Sequence, residues 1–379
     1  MNKYCINILL QNTANVTVAN ITDLRNYITT KFPWKKVTWC PDNNFVFPWN
    51  KDLENALIKT YLEAWDDLAI GLGFPAVDFP TIEQFEAQID EFLTTSFTRY
   101  SITPKVATSW HLPATYIAYL IEKWIKIATG TVWSQTGVDR FQGEGSRLFP
   151  YYPSLTNSFV PWKTTFQDLL LCNSLTPDPL GCRVLSWDSR WTVHPADPDP
   201  TSSLSQKAII DQAILNPDYP IFNYIEVDWL YAWSMKDRFK EQVDYMVWKF
   251  DVVSMTEFYN YFRPTHYNNN FISWMTYQWS WIVYWNSESD DNLKQYWYED
   301  KDCTVCLQKN LTTNVVTCET CINYVESIPE SLGYFLFEWT FYKDWSFRNW
   351  KSYKFDQFQK YNDREVLSFV NRAKSYFWI

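Results

Sequence analysis

The sequence predicts a helix-rich α+β protein that is aromatic-rich, irregular in places, and carries one small hairpin module. Three observations predict this class. Apolar residues recur at helical spacing in several segments that begin with capping residues, a proline-rich stretch lacks periodicity, and four cysteines form two close pairs in the last quarter of the chain. Hydrophobic residues make up 46% of the 379 residues and charged residues 20%, which is a globular composition.

The N-terminal part of the chain contains one predicted strand and one predicted helix. Alternating apolar residues around Val16 and Ile21 predict a short strand. Residues 31–50 are rich in proline and tryptophan, which predicts irregular structure. Apolar residues at helical spacing then predict a helix over residues 51–71, with Asn50 as its N-cap.

Later helices are predicted from capping signals. Capping boxes at Thr81, Ser203 and Ser254 begin three predicted helices. A helix over residues 113–130 has proline in its first turn and glycine after its last. An amphipathic segment at residues 363–377 predicts the last helix.

These segments divide the chain into five predicted regions. A proline-rich stretch separates two helical regions, and an acidic flank surrounds the cysteines. The regions are an N-terminal helical region (1–133), a proline-rich extended arm (134–202), a helical aromatic-rich region (203–287), a cysteine module with its acidic flank (288–335) and a basic C-terminal helical segment (336–379).

The segment CTVCLQKNLTTNVVTCETC is the most specific motif of the sequence. Four thiolates suit a tetrahedral Zn²⁺ ion, and each C-x-x-C pair can form a tight turn. The motif resembles a zinc ribbon, which implies a structural zinc site at Cys303, Cys306, Cys318 and Cys321. Four cysteines close the coordination shell, so the site is predicted to be structural. Two disulfides, or a redox or iron–sulfur site, are the alternatives.

Two other cysteines enclose a short loop. Cys172 and Cys182 are separated by nine residues that include two prolines and a glycine. Such a spacer favours a loop, so a disulfide between the two is possible, with free buried thiols as the alternative.

Acidic residues are concentrated between Lys59 and Arg99, where no basic residue occurs. A continuous acidic surface would attract a basic partner, whereas solvated helix faces would explain the same charges without a partner. The predicted acidic docking patch consists of Glu63, Asp66, Asp67, Asp78, Glu83, Glu86, Asp90 and Glu91.

Composition gives a clue to origin. The chain has 22 Trp but only 8 Gly, where average usage would give roughly 27 Gly. Abundant Phe, Tyr and Asn fit an A+T-rich genome, and abundant Trp in such a genome suggests that UGA is read as tryptophan. Runs such as WMTYQWSWIVYW and YFLFEWTFYKDWSFRNW make the chain resemble proteins encoded in ciliate mitochondrial DNA.

That resemblance implies a non-catalytic accessory subunit of a mitochondrial respiratory-chain complex, such as cytochrome c oxidase or a supercomplex. The chain would lie at the periphery of the inner membrane, on the matrix or intermembrane-space side, and would bridge other subunits and contact lipid. No apolar stretch reaches 18 residues, and no nucleotide, nucleophile-elbow or His-rich motif occurs. A net charge of −10 disfavours binding to DNA. The alternatives are a mitochondrial ribosomal protein that contacts rRNA and a metalloenzyme that uses the four cysteines.

Overall fold

Two β-sheets organise the chain in a computed structural model. The model describes residues 1–10, 14–41, 59–72, 81–109, 112, 114–129, 149–156, 158, 160–163, 167–172, 211, 214, 221–232, 235–278, 292–323 and 363–379. The described strands are β1 (Asn2–Leu10), β2 (Thr38–Pro41), β3 (Asp67–Leu72), β4 (Val106–Ser109), β5 (Ile127–Thr129), β6 (Leu170–Cys172), β7 (Ile221–Glu226), β8 (Phe250–Val253), β9 (Ser273–Gln278), β10 (Leu293–Glu299), β11 (Cys303–Asn310) and β12 (Val316–Asn323).

The described helices connect these strands. They are α1 (Val18–Lys31), α2 (Lys59–Glu63), α3 (Ile82–Tyr100), α4 (Ala114–Glu122), α5 (Val227–Ala232), α6 (Lys236–Met246), α7 (Met255–Phe262) and α8 (Asp363–Phe377). No helix in these described ranges is both long and apolar enough to cross a membrane.

The larger sheet is parallel. Its strands lie in the order β6-β5-β4-β3-β2-β1-β7, and β8 also pairs with β1. Alternating residues of β1 point to opposite faces. Ile6 and Ile8 pack with the helices that connect the strands, whereas Cys5 and Leu9 pack with α7. We call the face covered by α7 the inner face.

Helix α7 closes the inner face at the amino ends of the strands. The N–H of Met255 donates to Thr38 Oγ1 at 3.0 Å, and the N–H of Thr256 donates to Asp67 Oδ2 at 2.7 Å. Thr38 and Asp67 are the first residues of β2 and β3. At the other end of α7, Tyr259 bonds to Asp168, which precedes β6. The inner face is therefore covered at the amino edge of the sheet.

The smaller sheet is antiparallel, with strand order β12-β11-β10-β9. One face packs on α8 through Val305 and Val370. The other face joins the main core through Trp297. The N–H of Phe149 donates to Glu299 Oε2 at 3.3 Å and links this sheet to the segment that bridges to β6 through Tyr151.

The predicted fold class is wrong: the chain is an α/β protein built on a parallel sheet with a small antiparallel sheet beside it. The predicted helix over residues 51–71 includes β3, and the predicted strand around Val16 and Ile21 lies mostly in α1. Strands that are buried on both faces have continuous apolar sequences. They lack the alternation of apolar and polar residues by which strands are predicted. Strands from the regions predicted as 1–133, 134–202 and 203–287 all join the parallel sheet.

Several local predictions are confirmed. Two of the three predicted capping boxes form, at Thr81 before α3 and at Ser254 before α7. The third, at Ser203, lies outside the described residues. The last predicted helix matches α8, which spans Asp363–Phe377. The hairpin of the cysteine module exists as the antiparallel pair of β11 and β12.

Acidification is expected to loosen α8 from the antiparallel sheet. Arg372 of α8 bonds to Asp300, which also accepts hydrogen bonds from the N–H of Asp302 at 2.8 Å and from the Tyr298 hydroxyl at 2.8 Å. Burial alone would raise the pKa of Asp300, but these donors lower it below its usual value. A lowered pKa stabilises the fold above about pH 4, the unfolded value, and this stability is lost as pH falls through the folded pKa.

Hydrogen exchange of the α8 amides at pH values from 7 to 2 would test this expectation. Protection should fall below about pH 4, and Asp300→Asn should make protection less dependent on pH. A wild-type profile that matches the profile of Asp300→Asn would contradict the role of Asp300.

Candidate functional site

The carboxyl ends of the parallel strands lie at the edge of the inner face opposite to the edge that α7 covers. Ligand sites of parallel α/β sheets lie at the carboxyl ends of the strands, where residues from several strands meet. Helix α7 covers the amino ends. The inner-face residues nearest the carboxyl ends are therefore the candidate functional site.

Small, uncharged residues form the row nearest these ends. Strand register places Gly71 beside Thr108, Thr108 beside Thr129 and Thr129 beside Cys172. Thr129 and Cys172 are fully buried, and the Thr108 hydroxyl lies 3.4 Å from the Ile70 carbonyl oxygen. This row contains two hydroxyl groups and no charged side chain.

The thiols of the inner face are protonated. Burial is the main cause that raises the pKa of Cys5, Cys40 and Cys172 above the usual thiol value. A buried thiol with a raised pKa holds little of the nucleophilic thiolate at neutral pH. These cysteines act as small packing residues and not as nucleophiles.

Asn7 is the exceptional polar residue of the inner face. It lies in β1 between Cys5 and Leu9, beside Thr38 of β2 and Tyr224 of β7. The side chain is fully buried, and neither Oδ1 nor Nδ2 has a hydrogen-bond partner among the described residues. An unpaired buried amide costs stability. Its register with Thr38 places Asn7 at the edge that α7 covers and not in the row at the carboxyl ends.

Two carboxylate residues lie where β7 ends and α5 begins. Glu226 is the last residue of β7 and is in register with Leu9 of β1. Asp228 lies in the first turn of α5, and its Oδ1 accepts a hydrogen bond from Asn15 Nδ2 at 2.8 Å. The sequence segment IFNYIEVD carries the signal for both, because its acidic residues follow a strand-like run.

The predicted pairing of Cys172 with Cys182 stays a prediction. Cys172 ends β6 as a buried free thiol on the inner face. Cys182 lies outside the described residues.

The acidic residues predicted as one docking patch serve different parts of the fold. Asp66 is buried and bonds to Arg25. Asp67 is largely buried under α7, and burial is the main cause that raises its pKa. Glu83 lies in the first turn of α3, and Asp90 pairs with Lys123 at 2.6 Å. Glu63, Glu86 and Glu91 are solvent-accessible, whereas Asp78 lies outside the described residues.

The first C-x-x-C pair lies in a continuous strand. Cys303 is buried with Val305 and α8, whereas Cys306 belongs to the main core with Trp297. Both residues therefore lie on the extended strand β11, in separate hydrophobic clusters. The resemblance to a zinc ribbon implies instead that the pair forms a tight turn. Cys318 is exposed, and the backbone of Cys321 pairs with Val305.

A metal site does not emerge from the described ranges. No group of three or more His, Cys, Asp or Glu side chains there could hold a metal ion. The neutral row at Thr108 and Thr129 does not offer the carboxylates, thiolates or imidazoles that metal ions prefer.

The fold defines an α/β protein built on a parallel sheet, with the candidate site at the carboxyl edge of its strands. Residues 6–299 match the family described as a domain of unknown function with a solved structure, DUF3863. This match spans more than half of the chain, so the chain belongs to that family. No curated protein matches the sequence.

One solved structure shares the fold of this chain, and others are less similar. A putative glycoside hydrolase/deacetylase from Parabacteroides distasonis superposes with a TM-score of 0.72 at 18% identity, and the match covers 85% of each chain. A probable polysaccharide deacetylase from Pseudomonas aeruginosa PAO1 gives a TM-score of 0.46 at 6% identity, over 70% of this chain and 91% of the other. Only the first match is close enough to establish a common fold.

These matches correct the functional predictions. The resemblance to ciliate mitochondrial proteins is wrong, because the chain belongs to the DUF3863 family. The predicted role as a non-catalytic accessory subunit of a respiratory-chain complex is also wrong, since the chain has the fold of a putative glycoside hydrolase/deacetylase. The prediction that the chain is not an enzyme depends on the lack of a contiguous motif. A parallel sheet, however, forms its site from residues on separate strands.

Proposed function

We propose that the chain is a hydrolase that acts on carbohydrates, with removal of acetyl groups as its reaction. The observation that carries the proposal is the fold shared with a putative glycoside hydrolase/deacetylase over 85% of each chain. Fold alone does not define a reaction. The row at Gly71, Thr108 and Thr129 adds support, because a row without charged side chains suits an uncharged acyl group.

Hydrolysis of glycosidic bonds is the second candidate. Glycosidases use a pair of carboxylates, and Glu226 and Asp228 lie together at the carboxyl end of β7. Asp228 is already hydrogen-bonded to Asn15, which fits a positioned carboxylate. Deacetylation remains the first choice because the row at Gly71, Thr108, Thr129 and Cys172 carries no charged side chain.

Product analysis separates the two reactions. The purified chain is incubated with acetylated xylan and with chitin oligosaccharides, in buffer with EDTA or with added Zn²⁺, Co²⁺ or Mg²⁺. Free acetate without new reducing ends supports deacetylation, and new reducing ends without acetate support the second candidate. The absence of both products under all conditions would contradict the proposal.

The structural zinc ion predicted at Cys303, Cys306, Cys318 and Cys321 remains a separate proposal. Its support is the spacing of the cysteines, and it needs the side chains of Cys303 and Cys306 to converge. Metal analysis of the purified chain should then give one zinc per chain that is lost in Cys318→Ser. A chain without zinc would contradict it.

A further inference from the structure

Tryptophan occupies most of the left-handed backbone positions that glycine does not fill. Seven non-glycine residues in the described ranges have positive φ, and five of them are tryptophans. A Cβ atom clashes with the backbone in this conformation, so a bulky residue is rare there. All five indoles are exposed, by 68–96%. The five residues are Trp34 (φ 67°), Trp65 (76°), Trp124 (64°), Trp248 (69°) and Trp378 (57°).

Three of the five tryptophans end a helix in a Schellman motif. After α2, the N–H of Trp65 donates to the Leu62 carbonyl, and the N–H of Asp66 donates to the Tyr61 carbonyl at 3.1 Å. The same two bonds follow α4 from Trp124 and Ile125. At Trp378, after α8, the next N–H donates to the Lys374 carbonyl at 3.2 Å. The left-handed residue of this motif is usually glycine.

The other two tryptophans occupy the third position of a β-turn. Trp34 follows Pro33, and the N–H of Lys35 donates to the Phe32 carbonyl at 3.2 Å. The turn at Trp248 has φ −54° and ψ 130° at Val247, and its closing hydrogen bond is 3.0 Å. These angles define a type II turn, whose third position needs positive φ and is therefore typically glycine.

Other tryptophans of the same chain are ordinary core residues. Trp39 and Trp297 are fully buried. Trp39 Nε1 donates to Asp66 Oδ2 at 3.0 Å, and Trp297 Nε1 donates to Gln295 Oε1 at 3.0 Å. Tryptophan thus occurs in two environments. In the core the indole packs and donates a hydrogen bond, whereas at the five exposed positions the backbone only requires a positive φ.

Two codons would explain two environments. The chain has 8 Gly and 22 Trp, whereas average usage would give roughly 27 Gly. UGA differs by one base from the tryptophan codon UGG and by one base from the glycine codon GGA. We infer that residues 34, 65, 124, 248 and 378 are encoded by UGA and are glycine in the protein that the source organism makes. Trp39 and Trp297 are encoded by UGG and are tryptophan.

An aromatic docking surface is the competing explanation. Trp34, Trp65, Trp124 and Trp248 all lie in turns that lead into parallel strands, so they share the amino edge of the sheet. A membrane or protein partner could use exposed indoles there. That explanation accounts for exposure but not for the left-handed conformation at every one of these positions, whereas glycine accounts for both.

Peptide mass spectrometry of the protein purified from the organism that encodes it is the direct test. Glycine at the five left-handed positions, with tryptophan at residues 39 and 297, is the expected result. Tryptophan at the five positions would overturn the inference and leave the docking surface as the explanation.

Recombinant variants test the backbone argument independently. Trp65→Gly should raise the midpoint of thermal unfolding, because glycine adopts positive φ without a clash. Trp65→Ala removes the same exposed indole but keeps a Cβ atom, so its midpoint should lie below that of Trp65→Gly. Equal midpoints for the two variants would contradict the inference that the backbone at residue 65 requires glycine. Trp39→Gly is the matched control and should lower the midpoint.

Discussion

Replacing Asp66 by alanine is expected to lower the free energy of unfolding by about 3–5 kcal/mol, because removal of one partner leaves a buried charge uncompensated. Asp66 Oδ1 and Oδ2 accept from Arg25 Nη2 at 2.8 Å and from Arg25 Nε at 2.9 Å. The same carboxylate accepts from the N–H of Val37 at 3.2 Å and from Trp39 Nε1 at 3.0 Å. Denaturant unfolding of Asp66→Ala measures the loss.

Asp90→Ala is the matched control for this prediction. Asp90 also pairs with a basic residue, Lys123, but its side chain is 52% exposed, and an exposed pair contributes about 0–1 kcal/mol. The double variant Arg25→Met/Asp66→Leu should be more stable than Asp66→Ala, because it removes both charges. An equal loss of unfolding free energy in Asp66→Ala and Asp90→Ala would contradict the stabilising role of the buried pair of Asp66 and Arg25.

Local signals made part of the fold predictable. The capping boxes at Thr81 and Ser254 are short sequence patterns whose hydrogen bonds form within four residues, and both are present. Helix α8 is amphipathic because one side packs on a sheet and the other is exposed, so its spacing was visible. Both features depend on residues that are close to one another in the sequence.

The parallel sheet depends on contacts between residues that are far apart in the sequence. Strand β3 has the sequence DLAIGL, and residues Leu68–Leu72 are buried on both faces. A strand of this kind shows no alternation and continues the apolar spacing of the helix before it. Strand β1 is buried in the same way, with Asn7 as an isolated polar residue. The sequence therefore favoured helices where the fold has strands.

The candidate site was missed for the same reason. Thr108, Thr129 and Cys172 are far apart in sequence and form one row only because their strands pair in parallel register. None of them belongs to a motif with its own spacing. The cysteine motif has a regular spacing that predicts a metal site, yet β11 places Cys303 and Cys306 in separate clusters.

Replacing Asn7 by leucine is expected to raise stability and to leave activity unchanged. Leucine has no polar atoms, so the variant loses the cost of an unpaired buried amide, which is about 1–3 kcal/mol. The free energy of unfolding should rise by that amount. Acetate release should not change, because Asn7 is in register with Thr38 at the edge that α7 covers and not with the row at the carboxyl ends. Denaturant unfolding and the acetate assay measure the two quantities.

Ser96→Ala is the matched control for this prediction. Ser96 of α3 is also fully buried, and its hydroxyl has no partner among the described residues, but α3 packs on the opposite face of the sheet. Its replacement should also raise stability without a change in acetate release. If Asn7→Leu is instead less stable, the amide is satisfied in solution and its description as unpaired is wrong. If Asn7→Leu is more stable but less active, Asn7 takes part in substrate binding, and its position away from the candidate site is wrong.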